Sequence, residues 1–152
     1  MFRNKVAVIT GGALGIGKCI TQEFAKEGAR VAFVDKNQEA GEETKAEILK
    51  NGGEALFFAG DLAEEQTLID FTKKVIEQYG HVDYLINNAM ITKKGILSDC
   101  GYEDFNEVLR VGITAPYILT KLFLPYFNVG GAVVNISSTR AFQSQIDTES
   151  YT

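Results

Sequence analysis

The chain has 152 residues, 45% of them hydrophobic, which is enough for one globular domain that buries roughly 70% of the surface its unfolded form exposes. The net charge of −5 argues against a nucleic-acid partner, because a phosphate backbone is bound by a surplus of lysine and arginine. The two cysteines lack disulfide-style spacing, no signal peptide is visible, and no unbroken apolar run approaches the ~18 residues of a membrane helix. We therefore expect a single soluble domain, residues 1–152, in the reducing cytoplasm, with no membrane partner.

Short apolar segments bounded by glycine or aspartate alternate with longer segments of helical spacing, which is typical of a parallel sheet built from βαβ units. The strands are too uniformly apolar to leave one face in water, so helices should cover both faces of the sheet. The right-handed crossover rule favours the strand order 3-2-1-4-5, a doubly wound, three-layer α/β architecture of the Rossmann type. The predicted strands are Val6–Thr10, Val31–Asp35, Ala55–Gly60, Tyr84–Asn87 and Ala132–Ser137.

The longest predicted helix runs from about Tyr102 to Phe127, between the fourth and fifth strands. Apolar residues recur along it at helical spacing, and Pro116 in its middle predicts a bend. The expected packing face consists of Phe105, Val108, Leu109, Ile113, Tyr117 and Leu122.

The first predicted strand ends in a glycine-rich turn that leads directly into an amphipathic helix. Glycine lets the backbone turn sharply and approach phosphate oxygens, while free N–H groups and the helix dipole attract negative charge. A glycine-rich stretch alone is often only a turn, but here it stands between strand and helix, and an aspartate closes the next strand. We therefore predict a site for the pyrophosphate of a dinucleotide, formed by Thr10, Gly11, Gly15, Ile16 and Gly17.

Asp35 ends the second predicted strand, where a carboxylate can accept hydrogen bonds from both hydroxyls of the adenosine ribose. The same charge would repel a 2′-phosphate, so we predict NAD rather than NADP as the cofactor, although Lys36 beside it would soften the repulsion. Without the glycine turn, the ordinary interpretation of Asp35 would be a solvated residue that begins a turn.

Asp61 and Leu62 follow the third predicted strand at the same edge of the sheet. This position would place the Asp61 carboxylate near the amino group of the adenine. The competing interpretation is that Asp61 caps the N-terminus of the following helix, and the sequence favours neither.

In order and spacing, motifs along the whole chain resemble those of the short-chain dehydrogenase/reductase family. The family pattern T-G-x-x-x-G-x-G matches Thr10 to Gly17, and the adenine-side aspartate of the family matches Asp61. The N-N-A-G segment of the family matches the residues that follow the fourth strand. The resemblance implies that Asn88 and Ala89 line the cofactor groove and that Asn87 ties neighbouring strands together.

The resemblance also implies a catalytic serine and a catalytic tyrosine, which match Ser138 after the fifth strand and Tyr151 thirteen residues later. The tyrosine would exchange a proton with the substrate oxygen as hydride is transferred, while the serine would hold that oxygen. The implied function is an NAD(P)-dependent oxidoreductase that acts on a small alcohol or ketone and has no metal site. The ordinary alternatives are that Ser138 caps the next segment and that Tyr151 is a half-buried aromatic residue.

Three departures from the family pattern concern the catalytic side. The family lysine, four residues after the tyrosine, would fall beyond Thr152; Gly112 stands where the family has a helical asparagine; and Met90 stands where it has glycine. We therefore expect these residues alone to be inactive, as the N-terminal part of a protein of roughly 250 residues that forms homodimers or homotetramers. The alternative is a non-catalytic domain that binds a dinucleotide, either as a sensor or as a degenerate paralogue.

Overall fold

The computed structural model describes residues 1–95 and 99–152, in which five parallel strands form one sheet. The strand order is 3-2-1-4-5, as predicted. The strands are β1 (Val6–Thr10), β2 (Arg30–Asp35), β3 (Glu54–Ala59), β4 (Val82–Asn87) and β5 (Phe127–Asn135). The helices before β4 are α1 (Gly15–Lys26), α2 (Gln38–Lys50) and α3 (Glu65–Tyr79).

Each face of the sheet carries its own hydrophobic core. Helices α1 and α2 cover one face, where the rings of Phe33 and Phe57 have centroids 5.1 Å apart. Helix α3 and the end of the long helix cover the other face, where Phe71 and Phe123 meet edge to face with centroids 6.3 Å apart. Burial on both faces explains why the inner strands are mostly apolar, with polar residues only at or next to their ends.

The long helix between β4 and β5 is not uniform. It begins as α4 (Tyr102–Leu109), passes through a π-helical turn at Arg110–Thr114, and continues as α5 (Ala115–Phe123) before a short 3₁₀ turn that ends at Tyr126. Where a bend was predicted near Pro116, the structure has a π turn that ends two residues before the proline. Proline has no amide hydrogen, so Pro116 cannot donate to the carbonyl four residues earlier, and the helix widens at this point.

The π turn changes which residues of the long helix face the sheet. Val108 is buried as predicted, but Ile113 and Tyr117 are each 67% exposed. A π turn contains one residue more than an α-helical turn, so the packing face predicted from a constant helical period is wrong at Ile113 and Tyr117, while Leu122 packs against the core as predicted. The buried positions in the second half are Ala115, Leu119 and Phe123.

By length and composition, the helical run Tyr102–Tyr126 reaches what a membrane span requires, with 25 residues and a mean hydropathy of 1.2 over its most apolar window. This corrects the expectation that no segment approaches that length, because the expectation considered only unbroken apolar runs. Helices in the core of water-soluble proteins meet the same criterion. Here Leu119 and Phe123 lie in the core on one face of the sheet, so one side of the run is packed against the strands.

Strand β5 differs most from its prediction, since it begins at Phe127 rather than Ala132 and ends two residues early, at Asn135. The Asn-Val-Gly-Gly segment after Phe127 has the composition of a turn. In the structure Val82 pairs with Phe127 and Tyr84 pairs with Ala132, so this segment is an irregularity inside the strand. None of the nine residues of β5 is buried, because β5 is an edge strand with a neighbour on only one side.

Candidate functional site

A groove of about 910 Å³ lies at the carboxyl ends of the strands. Its walls come from the loops that follow all five strands and from the π turn of the long helix. A doubly wound sheet leaves such a crevice where the strand order reverses, beside β1. The predicted site residues in its lining are Gly11, Ile16, Gly17, Asp35, Asp61, Leu62, Asn88, Ala89, Ser138 and Tyr151.

The turn from β1 into α1 brings backbone atoms close together at one end of the groove. Gly11 has a φ of +65° and Gly15 a φ of +54°, which L side chains rarely adopt. A Cβ added to Gly17 would lie 1.8 Å from the Gly11 carbonyl oxygen, so only glycine permits this approach. The first N–H groups of α1 are thereby presented at the groove, which is the arrangement that binds an anion.

Thr10 and Asn88 join the turn after β1 to the loop after β4. Thr10 is buried, and its hydroxyl oxygen accepts hydrogen bonds from the backbone N–H groups of Asn88 and Ala89, both at 3.0 Å. The Asn88 side chain donates from Nδ2 to the carbonyl oxygens of Thr10 and Gly11, at 3.0 and 3.2 Å. Thr10 therefore acts on the groove through these contacts, because its own side chain lies behind the surface.

Asp35 faces the groove from the end of β2. Its Oδ2 accepts a hydrogen bond from the Ala13 N–H at 3.1 Å, and its Oδ1 accepts one from the Asn37 N–H at 3.0 Å. These contacts hold the carboxylate beside the glycine turn, while each oxygen retains a further lone pair for a ligand. Lys36 lines the groove next to it, so both charges considered from the sequence lie at this end.

Asp61 does not cap helix α3, because the residue in the N-cap position is Glu64. The Oδ1 atom of Asp61 accepts a hydrogen bond from the Ala63 N–H at 2.9 Å, which forms a turn within the loop. The capping interpretation is therefore wrong. Asp61 and Leu62 both line the groove.

The ends of β4 and β5 are tied together at the opposite end of the groove. Asn87 donates from Nδ2 to Asn135 Oδ1 at 2.8 Å, and its carbonyl oxygen accepts a hydrogen bond from the Ile136 N–H at 2.9 Å. Asn87 thus makes the structural tie that the resemblance implied. The residues that follow β5 leave the sheet at this edge and enter the groove wall.

Ser138 and Tyr151 both line this end of the groove. Ser138 Oγ accepts a hydrogen bond from the Arg140 N–H at 3.2 Å, so Ser138 caps a short 3₁₀ helix at Thr139–Ala141. Tyr151 is half-buried, with the Arg140 guanidinium carbon 5.1 Å from its ring centroid. The capping contact and the half-buried aromatic ring of the ordinary alternatives are both present, and both side chains also border one cavity.

Several lining residues were not predicted from the sequence. Leu14 lies in the glycine turn between predicted residues, and Glu149 and Ser150 immediately precede Tyr151, so closeness in sequence was an available signal for all three. Within the described residues, Ser150 Oγ and Glu149 Oε2 are buried without a hydrogen-bond partner. Met90, noted in the sequence only as a departure, lines the groove together with the π turn.

Comparison with known proteins gives a consistent result. A family model described as short chain dehydrogenase matches residues 5–152. An uncharacterized oxidoreductase of Thermotoga maritima is 39% identical over 99% of this chain, which covers 60% of that protein. Two solved structures, both 27% identical over 99% of this chain, are a blue fluorescent protein from a metagenomic library in complex with NADPH (TM-score 0.93) and an NAD⁺-bound xylitol dehydrogenase (TM-score 0.87). The chain covers 62% and 59% of those two chains, so it spans about 60% of the length of these relatives.

Proposed function

This chain belongs to the short-chain dehydrogenase/reductase family, and we propose that it serves an oxidoreductase that transfers hydride between a nicotinamide dinucleotide and an alcohol or carbonyl substrate. One observation carries the proposal. A single groove borders the glycine turn and Asp35 at one end and Ser138 and Tyr151 at the other. Its volume of about 910 Å³ lies within the range of cofactor and ligand sites, roughly 300–1,000 Å³.

The turn after β1 fits the pyrophosphate of a dinucleotide. Gly17 lets the start of α1 approach the Gly11 carbonyl oxygen closely, and the N-terminus of α1 supplies N–H groups and a favourable dipole. In this proposal Gly11, Ile16 and Gly17 hold the pyrophosphate, while Asn88 and Ala89 border the ribose beyond it. Asp61 and Leu62 would lie along the adenine. The NADPH and NAD⁺ bound to the two solved relatives support a cofactor of this class.

We propose NAD as the preferred cofactor. The Asp35 carboxylate would accept hydrogen bonds from the adenosine ribose and repel a 2′-phosphate. Lys36 would have the opposite effect, because its ammonium group beside the site would attract that phosphate. Two backbone N–H groups hold the Asp35 carboxylate in place, which supports its role over that of a flexible lysine.

The chemistry assigns separate tasks to two side chains. A nicotinamide held in this groove would supply the acceptor for hydride from an alcohol carbon, or the donor of hydride to a carbonyl carbon. Tyr151 Oη would take the proton of the alcohol, or return one to the carbonyl oxygen in the reverse direction. Ser138 Oγ would donate a hydrogen bond to the same oxygen and hold it in place. Membership of a family described as short chain dehydrogenase supports turnover over the non-catalytic alternative.

Calorimetric titration with NAD and with NADP tests the binding half of the proposal. We expect heat from both cofactors and the higher affinity for NAD. No heat with either cofactor would contradict a dinucleotide site in this groove.

Turnover is to be measured from the absorbance of reduced nicotinamide with a panel of alcohols and ketones. The assay needs a protein with a lysine four residues after Tyr151, a position that lies beyond residues 1–152. Tyr151→Phe should lower kcat about 100- to 10,000-fold, since that is the usual contribution of a general acid–base group. Tyr102→Phe is the matched control, because Tyr102 is 81% exposed at the start of α4. Equal activity in the two variants would overturn the role of Tyr151.

We also propose that the protein forms homodimers or homotetramers through the outer side of the long helix. Tyr117 and Leu124, which do not line the groove, are each 67% exposed there. Large apolar side chains exposed along one helical run favour burial against a second copy. Sedimentation equilibrium tests this, and a monomer at all accessible concentrations would contradict it.

A further inference from the structure

Met90 lies against Gly112 on the wall of the groove. Met90 follows the end of β4, and Gly112 is the middle residue of the π turn at Arg110–Thr114. Both residues line the groove. A Cβ placed on Gly112 would lie 2.7 Å from Met90 Sδ and 3.1 Å from Met90 Cε. The thioether therefore occupies the space that a side chain at residue 112 would need.

The missing side chain of Gly112 determines where the Met90 thioether lies. A side chain at residue 112 would displace the thioether, because Met90 is flexible while the helix backbone is held by its hydrogen bonds. Since the helix blocks one side, the displaced thioether would have to move towards the groove, where Met90 is already 37% exposed. Glycine at this position thus keeps that part of the groove open.

Many of the residues that line the same groove as Met90 are apolar. They include Ile91, Phe105, Ile113 and Ile136. A thioether is soft and polarisable, adapts to irregular apolar groups, and is only a weak hydrogen-bond acceptor. A polar group placed against this wall would lose its contacts with water and find few replacements.

We propose that Met90, seated on Gly112, is a specificity-determining residue that contacts the substrate and selects alcohols and ketones with an apolar substituent beside the reacting carbon. The inference rests on the proposed function, since Ser138 and Tyr151 in the same groove mark where the reacting oxygen is held. It adds a substrate class to that function and assigns its selection to a residue other than Ser138 and Tyr151.

The contact can be tested without any ligand. The chain has two methionines, so labelling the methionine methyl groups with carbon-13 gives two NMR signals, and Met1, 97% exposed, is an internal control. Met90→Ala assigns the second signal. Gly112→Ala should shift the Met90 signal and leave that of Met1 unchanged. Gly101→Ala is the matched control, since no atom lies within 4 Å of its added Cβ, and it should move neither signal. An unmoved Met90 signal in Gly112→Ala would overturn the contact.

The specificity role is tested on the unaltered chain in the presence of saturating NAD. Titration with cyclohexanone should shift the Met90 signal in a saturable way, and dihydroxyacetone should bind at least about tenfold more weakly. Gly112→Ala should weaken cyclohexanone binding by about tenfold, because the displaced thioether fills the site. Calorimetry, which does not depend on the Met90 signal, should show that Gly112→Ala causes no further loss when it is added to Met90→Ala. Equal responses to the two ketones, or no response to either, would overturn the specificity role.

Failure of this inference and failure of the proposed function give different results. If the chain binds NAD but neither ketone shifts the Met90 signal, the proposed function stands and the role of Met90 is wrong. A chain that gives no calorimetric heat with NAD refutes the proposed function, and the substrate role of Met90 with it.

Discussion

The carboxylate of Asp83 accepts a hydrogen bond from the ammonium group of Lys5, with Oδ1 2.9 Å from Nζ. Asp83 is only 1% exposed, and it also accepts hydrogen bonds from the Val6 N–H at 2.9 Å and from Asn128 Nδ2 at 3.0 Å. All these residues lie at the amino ends of strands, on the edge of the sheet opposite the groove. One buried carboxylate thus joins the starts of β1, β4 and β5.

We expect Asp83 to make the fold sensitive to acid. Burial by itself raises the pKa of this carboxyl, but hydrogen bonds from Asn128, Val6 and Lys5 outweigh it, so the pKa is lowered from its ordinary value. A carboxyl whose pKa falls on folding adds stability above its unfolded pKa of about 3.9 and loses it as the pH falls through the folded value. Urea unfolding should show this loss below about pH 4.

Substitution of Asp83 separates this contribution from those of other carboxyl groups. Asp83→Asn should lower the free energy of unfolding at neutral pH by about 1–3 kcal/mol and flatten the acid dependence. Asp70→Asn is the control, because Asp70 is exposed on α3. If Asp83→Asn and the parent chain lose stability equally in acid, the prediction is wrong.

Tyr79 should respond to alkaline pH. Burial, together with the nearby Glu54, raises the pKa of Tyr79 to about 12, although Arg30 opposes the shift. A phenol whose pKa rises on folding adds stability below its unfolded pKa of about 10 and loses it as the pH rises through the folded value. The phenolate absorbance of the six tyrosines should include one step near 12, and Tyr79→Phe should remove it. An unchanged titration curve in that variant would refute the assignment.

Gly17→Ala should abolish tight binding of the dinucleotide. The added Cβ would lie 1.8 Å from the Gly11 carbonyl oxygen, and because that atom belongs to the backbone, the whole turn must move. Charge-assisted hydrogen bonds from the turn to the pyrophosphate are worth about 1.5–3 kcal/mol, so NAD affinity measured by calorimetry should fall roughly ten- to a hundredfold. Gly101→Ala controls for the loss of a glycine elsewhere. Retained affinity in Gly17→Ala would mean that the pyrophosphate does not bind this turn.

Thr10→Val should weaken the connection between the glycine turn after β1 and the loop after β4. The variant keeps the shape of the side chain but removes the oxygen that accepts the N–H groups of Asn88 and Ala89. Leaving buried donors without a partner costs about 1–3 kcal/mol of stability, and NAD affinity should fall with it. Thr10→Ser keeps the hydroxyl group and should restore most of both. Equal losses in the two variants would show that the methyl group, not the hydroxyl group, matters.

Asp35→Ser tests the choice of cofactor. Charge-assisted hydrogen bonds are stronger than neutral ones, so NAD affinity should fall roughly ten- to a hundredfold. Affinity for NADP should hold or improve, because the repulsion is removed as well. Calorimetry with both cofactors on both proteins gives the comparison. A parent chain that already prefers NADP would show that Lys36 dominates.

Most of the sheet could be predicted because of how buried parallel strands are built. A strand covered on both faces is mostly apolar and is bounded by turn residues, so the bounds of β1 coincide with the prediction at both ends. Strand β5 lacks that constraint, because none of its residues is buried. Its Gly130 and Gly131 therefore resemble a turn although they lie within the strand.

The candidate site was predictable where backbone geometry demands one residue type, as at Gly17. It was not predictable where a side chain has two tasks. Ser138 borders the groove and also caps a 3₁₀ helix, and no local pattern shows that both hold at once. The contact between Met90 and Gly112 depends on the π turn, which a constant helical period does not reveal.

The π turn also limits how this family member can change in length. Each residue of an α-helix turns the chain by roughly 100°, so deleting one residue from Arg110–Thr114 would restore a continuous helix and rotate its second half by that angle. Leu119 and Phe123 would then leave the core, unless the first half rotated in their place and carried Val108 out. A homologue without the extra residue therefore needs a different set of apolar positions on one half of this helix. In a comparison of such sequences, a gap placed at the π turn should align the buried positions on both sides of it.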